Sequence, residues 1–331
     1  MALRGGGSGD QGHPAVPGEC HVNKGKQPTN VAASVRARLQ NLSRQRGAEF
    51  QLVLSDFAIE RLLYRLGVSR HADDFVLKGA MLFKLWTRDV HRATWDLDLL
   101  GRGANRIPEV VAVIRDLCSI AVEDGIVFDT VSISGEEIRA EEEYVGVRVR
   151  LNAHLAGARI PMQIDVGFGD AITPAALRQT YPTLLDHPSP TILAYPREAV
   201  VAEKLEALIS LGVTNSRMKD FYDLHVLASS FGFEGPVLAR SVRATFERRG
   251  TPFPDSEPLV LTGEFLGAPA RQTLWRALLR RARLAAPPDT AELADGLMRF
   301  LAPVLAAARG EPFVATWAPG GPWQPTEEHT A

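Results

Sequence analysis

The chain is poor in cysteine. Cys20 and Cys118 are its two cysteines in 331 residues, and they lie far apart. Neither a disulfide framework nor a zinc-binding cysteine set can be built from them, and such scarcity fits a reducing compartment. Long apolar runs are missing as well. No stretch approaches the roughly 20 apolar residues that span a bilayer, and the N-terminus lacks the apolar centre of a secretion signal. The expected location is the cytoplasm, with no membrane partner. An excess of positive charge is also absent. With a formal net charge of −2, any nucleic-acid partner must be held by a local basic surface and not by global attraction. There is no internal repeat, zinc finger or RNA-recognition signature.

What remains is ordinary globular material. Hydrophobic residues make up 45% and charged residues 23%, enough for one large or two modest domains. Residues 1–30 are rich in Gly and Pro and carry few large apolar groups, so a disordered tail is expected there. Residues 31–195 read as a mixed α/β (α+β) domain and residues 196–315 as a helical half. From 316 to 331 the Pro/Gly content suggests a flexible tail.

Within the first half, Val31 to Arg46 has helical periodicity, and a second helix with Ser55 as N-cap should end at Gly67. Phe75–Leu77 reads as a short buried strand, with a turn at Lys78-Gly79 and a helix from Ala80. The segment TWDLDLLG is a strand closed by Gly101, and a helix opened by Pro108 should stop near Gly125. Three further strands follow. In the middle one Val145, Val147, Val149 and Leu151 share a face opposite Arg148 and Arg150. TILAYP is a shorter strand.

The chemistry concentrates on Trp95-Asp96-Leu97-Asp98-Leu99. Period two places the Asp96 and Asp98 carboxylates on one face, with Leu97 and Leu99 in the core. Two close carboxylates are hard oxygen ligands of the kind magnesium prefers. A preceding Lys-Gly turn and helix could bring backbone amides to a phosphate. Asp-x-Asp also occurs at the ends of ordinary solvated strands, and Gly79 alone could mark a tight turn. Asp165, between Ile164 and Val166, faces the side of Gln163. It is either a third metal-binding carboxylate or a solvated residue. Convergence of all three would make a two-metal site. Lys204 falls at the edge of the apolar stripe of its helix, where it either snorkels to solvent or reaches phosphate oxygens in a cleft. Glu203 is compatible with a plain surface charge. Arg217, Lys219, Asp220 and Asp223 cluster at the next helix start, where acidic residues also suit the macrodipole.

Taken together, LKGAMLFKLW, RATWDLDLL, QIDVGFGD, REAVVAEKLEAL and SRMKDFYDLHVL resemble the AbiEii/AbiGii-type nucleotidyltransferase toxins, relatives of the MenT toxins, over about residues 70–230. The resemblance implies a DNA-polymerase-β-like nucleotidyltransferase fold with a mixed sheet and a helical C-terminal half. By this likeness Lys78 and Gly79 correspond to the phosphate-side turn, and Asp96 and Asp98 to the metal pair. Asp165 corresponds to the third acidic position, Lys204 to the essential lysine and Asp220 to the essential acid. Arg217, Lys219 and Asp223 flank that acid. Ala80 and Met81 stand where family members often carry a second glycine and a small hydroxyl residue, which removes one phosphate contact.

The resemblance further implies Mg2+ as cofactor, a nucleoside triphosphate as substrate, and a separate antitoxin as partner in a toxin–antitoxin or phage-defence system. The implied acceptor is the 3′ end of tRNA, whose modification blocks translation. A protein hydroxyl or a small molecule as acceptor, and a catalytically silent binding module, remain open alternatives. If RNA is the acceptor, its basic surface should come from Arg240, Arg243, Arg248 and Arg249 or from Arg271, Arg276, Arg280, Arg281 and Arg283, which also suit solvated helix faces.

Overall fold

The computed structural model describes residues 30–87, 92, 94–103, 105–139, 145–282, 284 and 289–326. The N-terminal tail, Arg283 and the last five residues therefore lie outside the described residues. The first half runs α1 (Val31–Arg46), α2 (Phe50–Val68), β1 (Phe75–Lys78), a 3-10 turn Gly79–Leu82, α3 (Phe83–Trp86), β2 (Asp96–Gly101), α4 (Ile107–Cys118), β3 (Val127–Arg139), β4 (Val145–Leu155), β5 (Ala158–Phe168), β6 (Leu177–Thr180) and β7 (Thr191–Ala194). The second runs α5 (Arg197–Leu211), α6 (Met218–Ser230), β8 (Phe233–Glu234), α7 (Gly235–Arg249), α8 (Gly263–Gly267), α9 (Pro269–Ala282), α10 (Thr290–Arg309), β9 (Ala315–Trp317) and β10 (Trp323–Pro325).

The seven strands of the first half form one mixed sheet in the order β3-β4-β5-β2-β1-β7-β6. β2 lies parallel to β5 and antiparallel to β1. Strand alternation sorts the two faces. Leu97, Leu99, Val147, Val149, Ile164 and Val166 are all buried, on the side covered by α2, which packs on β5 and β7. Each such fully buried aliphatic side chain contributes about 1.5–3 kcal/mol. The opposite face carries the charged residues of these same strands.

The structure differs from the sequence expectations in several places. Ser55 is no N-cap: α2 begins at Phe50, and Ser55 is buried inside it. Gly67 does not end the helix but lies within it, one residue before its end; the position takes glycine because a Cβ there would stand 2.6 Å from the Thr191 carbonyl oxygen of β7. α4 stops at Cys118, short of Gly125. The intervening loop is tied down instead: Arg65 donates to the Ile120 carbonyl at 3.1 Å, and the buried Asp124 carboxylate accepts from Arg61 at 3.0 Å and Arg65 at 2.7 Å. The helix after the Lys-Gly turn opens as a 3-10 turn before becoming α-helical at Phe83.

The C-terminal segment also departs from a flexible tail. β9 pairs with both β8 and β10 in a three-stranded sheet. The Trp317 indole donates to the Ala228 carbonyl at 2.7 Å, and the Trp323 indole to the Phe300 carbonyl at 3.0 Å. Two indoles with satisfied N–H groups bury enough apolar area to hold a Pro/Gly-rich segment in place. No described helix is long and apolar enough to cross a membrane.

Candidate active site

Four neighbouring strands place a row of charges on one sheet face. Lys78 of β1 is the register partner of Asp98 in β2. Asp98 pairs with Asp165 in β5, and Asp165 with Arg148 in β4. The row therefore reads cation, anion, anion, cation. In the next row Asp96 of β2 faces Gln163 of β5, and Gln163 faces Arg150 of β4. Like charges directly opposite each other in a sheet are destabilising, so the flanking cations are a physical requirement of the acidic centre.

The outer members of the row are engaged unequally. Arg148 grips Asp165 through both fork positions, Nε to Oδ1 at 2.8 Å and Nη2 to Oδ2 at 2.7 Å. Lys78 turns from Asp98 to Asp170 at 2.6 Å and Glu203 at 3.2 Å. Asp96 and Asp98 have no ion pair among the described residues. Burial, then the neighbouring Asp165 and Asp96, push the Asp98 carboxyl up to about 6, although Lys78 and Lys219 oppose the shift. Burial and Asp165 raise Asp96 likewise, against Arg148, Lys219 and Arg150. The pair is an acidic centre whose neighbouring cations only partly offset burial and mutual repulsion.

Gly79 has a specific task here. Its φ is +72°, a left-handed conformation. A Cβ on it would lie 2.0 Å from Asp98 Oδ2, so the missing side chain lets the carboxylate sit down on the turn. Gly79→Ala should abolish nucleotide transfer and cost about 2 kcal/mol in stability, through strain and displacement of Asp98. A urea titration beside an activity assay checks both.

Lys78 itself is part of a buried charge network. Asp170 also binds Arg249 at 3.1 Å, Arg249 reaches Glu206 at 2.5 Å, and the Tyr195 hydroxyl donates to Glu203 at 3.1 Å. Burial disfavours the Lys78 ammonium, but Glu203 and Asp170 outweigh it and raise its pKa. Lys78 thus ties the β1 end to Glu203 of α5 and to Asp170 after β5. Glu203 is not a surface charge but a member of this network.

A second buried network holds the residues of α5 and α6. Lys204 lies between Asp220 at 2.8 Å and Asp223 at 2.7 Å. Arg217 pairs with Asp220 at 2.8 Å, and Arg92 grips Asp223 at 2.9 and 3.0 Å. Burial again disfavours the Lys204 charge, and Asp220 and Asp223 outweigh it. Lys204 neither snorkels nor stands free, and its ammonium is shared by two carboxylates. Lys219, by contrast, is exposed and close enough to lower the pKa of both Asp96 and Asp98.

Asp96, Asp98 and Lys219 are thus brought together, with Asp165 alongside, while Lys204, Asp220, Asp223 and Arg217 form an adjoining network. Sequence reasoning did not single out Arg92 or Asp170 and gave Arg148 no role. Their only sequence signal was position: Arg92 four residues before Asp96, Asp170 five after Asp165, and Arg148 on the polar side of an alternating strand.

Part of the expected RNA surface is structural. Arg249 belongs to the buried network, Arg243 donates to the Ala308 carbonyl at 2.7 Å, and Arg248 donates to the Gly169 carbonyl. Arg240, Arg276 and Arg280 are exposed. Arg271 lies over the Phe265 ring at 4.7 Å.

The three carboxylates do not form a closed metal cage. Among the described residues, no group of three acidic, His or Cys side chains is gathered closely enough to hold an ion. Asp96 and Asp98 do fit a hard divalent cation, since both are oxygen donors on one face with no ion-pair partner among the described residues.

No curated protein matches the chain. The solved structures similar to it include two from Helicobacter pylori. JHP933 has 14% identity and a TM-score of 0.46, over 79% of this chain and 94% of its own. A provisionally described nucleotidyltransferase has 14% identity and a TM-score of 0.45, over 80% of this chain and 100% of its own. The family model for the nucleotidyl transferase AbiEii toxin of type IV toxin–antitoxin systems matches residues 61–300, so the chain belongs to the AbiEii nucleotidyltransferase toxin family.

Proposed function

We propose that the protein moves a nucleotide from a nucleoside triphosphate onto the 3′ end of tRNA, with Mg2+ held by Asp96 and Asp98. The observation that carries this reading is the Asp96/Asp98 pair, without an ion-pair partner among the described residues, set on one strand beside the exposed ammonium of Lys219. A bound cation would neutralise charge on the triphosphate and favour the leaving pyrophosphate.

The chain's own residues supply the rest. β2 fixes the two carboxylates, and Gly79 lets Asp98 seat against the turn. Lys219 offers a mobile point charge to phosphate oxygens. Lys204 and Asp220 hold α5 and α6 in register beside the pair and so position Lys219. Exposed Arg276 and Arg280 support an RNA acceptor, since phosphate neutralisation dominates RNA affinity. In the cell, a separate antitoxin would counteract the activity.

The test is incubation with each labelled triphosphate, Mg2+ and total tRNA, followed by electrophoresis. Label should enter the tRNA band. Label entering protein instead, or no label with any triphosphate, refutes the tRNA reading. Lys219→Ala should raise the apparent KM for the triphosphate roughly tenfold or more, in keeping with loss of one charged hydrogen bond. Steady-state kinetics with the accepted nucleotide measure this.

A further inference from the structure

We propose that Arg148 competes with a divalent cation for Asp165, so that the resting site offers the cation two carboxylates and not three. The inference rests on the reading of Asp96 and Asp98 as the cation-holding pair, and it goes further by assigning Arg148 as a positioning residue for the third carboxylate.

The geometry is specific. β4 alternates, with Val147 and Val149 buried in the core, so Arg148 is confined to the face of the acidic residues. Its cross-strand register partner is Asp165 itself. Both guanidinium contacts are short and directed to different carboxylate oxygens, the fork arrangement in which Arg binds carboxylate best. Asp96 and Glu136 add to the negative field around it. A guanidinium does not give up its proton in a protein, so loss of the Arg148 charge cannot free Asp165, and a cation that takes this carboxylate must displace the guanidinium. Asp98, one strand over, has no such partner. The same face therefore holds one carboxylate already served by an internal cation and two that are not.

Mn2+ binding to the full chain without nucleotide, followed by electron paramagnetic resonance, tests this. Arg148→Gln should tighten binding about tenfold, because a third charged oxygen ligand becomes available. In an Asp165→Asn background the same substitution should gain only about threefold or less, the part due to removing a nearby positive charge. Arg148→Lys keeps the charge but loses the fork, and should fall between wild type and Arg148→Gln. It serves as the readout if the glutamine variant does not fold.

An unchanged or weaker affinity in folded Arg148→Gln and Arg148→Lys overturns the proposal, as does an equal gain in the Asp165→Asn background. Asp98→Asn is measured alongside. If it binds Mn2+ as tightly as wild type, or if wild type binds none, the assignment of the pair fails and the competition with it. If Asp98→Asn loses binding while the Arg148 variants gain nothing, the pair stands and only the competition fails.

Discussion

Asp98→Asn should eliminate nucleotide transfer and at the same time make the protein more stable. The two effects share one cause. Burial and the two adjacent carboxylates raise the Asp98 pKa to about 6, against about 3.9 in an unfolded chain. Between those values the folded state holds more protons than the unfolded one, so stability falls as pH rises through this window. Above pH 6 the whole penalty is present, and a two-unit shift sets an upper bound of about 3 kcal/mol. An uncharged isostere removes it. The melting temperature of Asp98→Asn should therefore exceed that of wild type at pH 7, and the gap should close as pH is lowered towards 4. Transfer should drop below detection, since the remaining Asp96 cannot hold a cation alone. A variant that still transfers nucleotide would exclude Asp98 from the chemistry. A variant less stable than wild type at pH 7 would show that the local charge balance is not as described.

Lys204→Met should have the opposite effect on stability. Asp220 and Asp223 are 2% and 0% exposed, and both rest on the Lys204 ammonium. Removing one partner from a buried charged network typically costs about 3–5 kcal/mol, because the other charge stays buried and unpaired. Arg217 and Arg92 remain, so the lower part of that range is expected. From helix propensity alone, Lys204→Ala looks harmless to the fold, since alanine is the better helix former. The structure reverses that expectation for the whole protein: the helix gains a few tenths while the network loses several kcal/mol. A urea titration measures the difference. An unfolding midpoint equal to that of wild type would mean that the contacts of Lys204 contribute nothing and would return it to a purely catalytic role.

The strands around the site were legible because alternation is a local signal. Period two puts Asp96 and Asp98 on one face and sets Asp165 opposite Ile164 and Val166, and the pairing of β2 with β5 then places Asp165 beside Asp98. Partner choice was not legible in the same way. Nothing near Lys78 in sequence says that its ammonium will meet Asp170 and Glu203, 92 and 125 positions away. Lys204 shows the same limit. Its place at the edge of an apolar stripe was read correctly, but the two carboxylates beside it come from another helix. The C-terminal strands were missed for a different reason. Pro and Gly dominated the reading of that segment, while Trp317 and Trp323, which anchor it, were only two residues in a tail.

The charged row across four strands also carries folding information. If β5 slid by a single residue against β2, Asp165 would point into the hydrophobic interior and Ile164 or Val166 would replace it outside. The same slip against β4 would strand Arg148 opposite an aliphatic neighbour. Every slip by an odd number of residues thus leaves at least one full charge without water or a counter-ion. The cluster read here as a catalytic centre therefore acts during assembly as an alignment key, rejecting shifted sheets before any substrate is met.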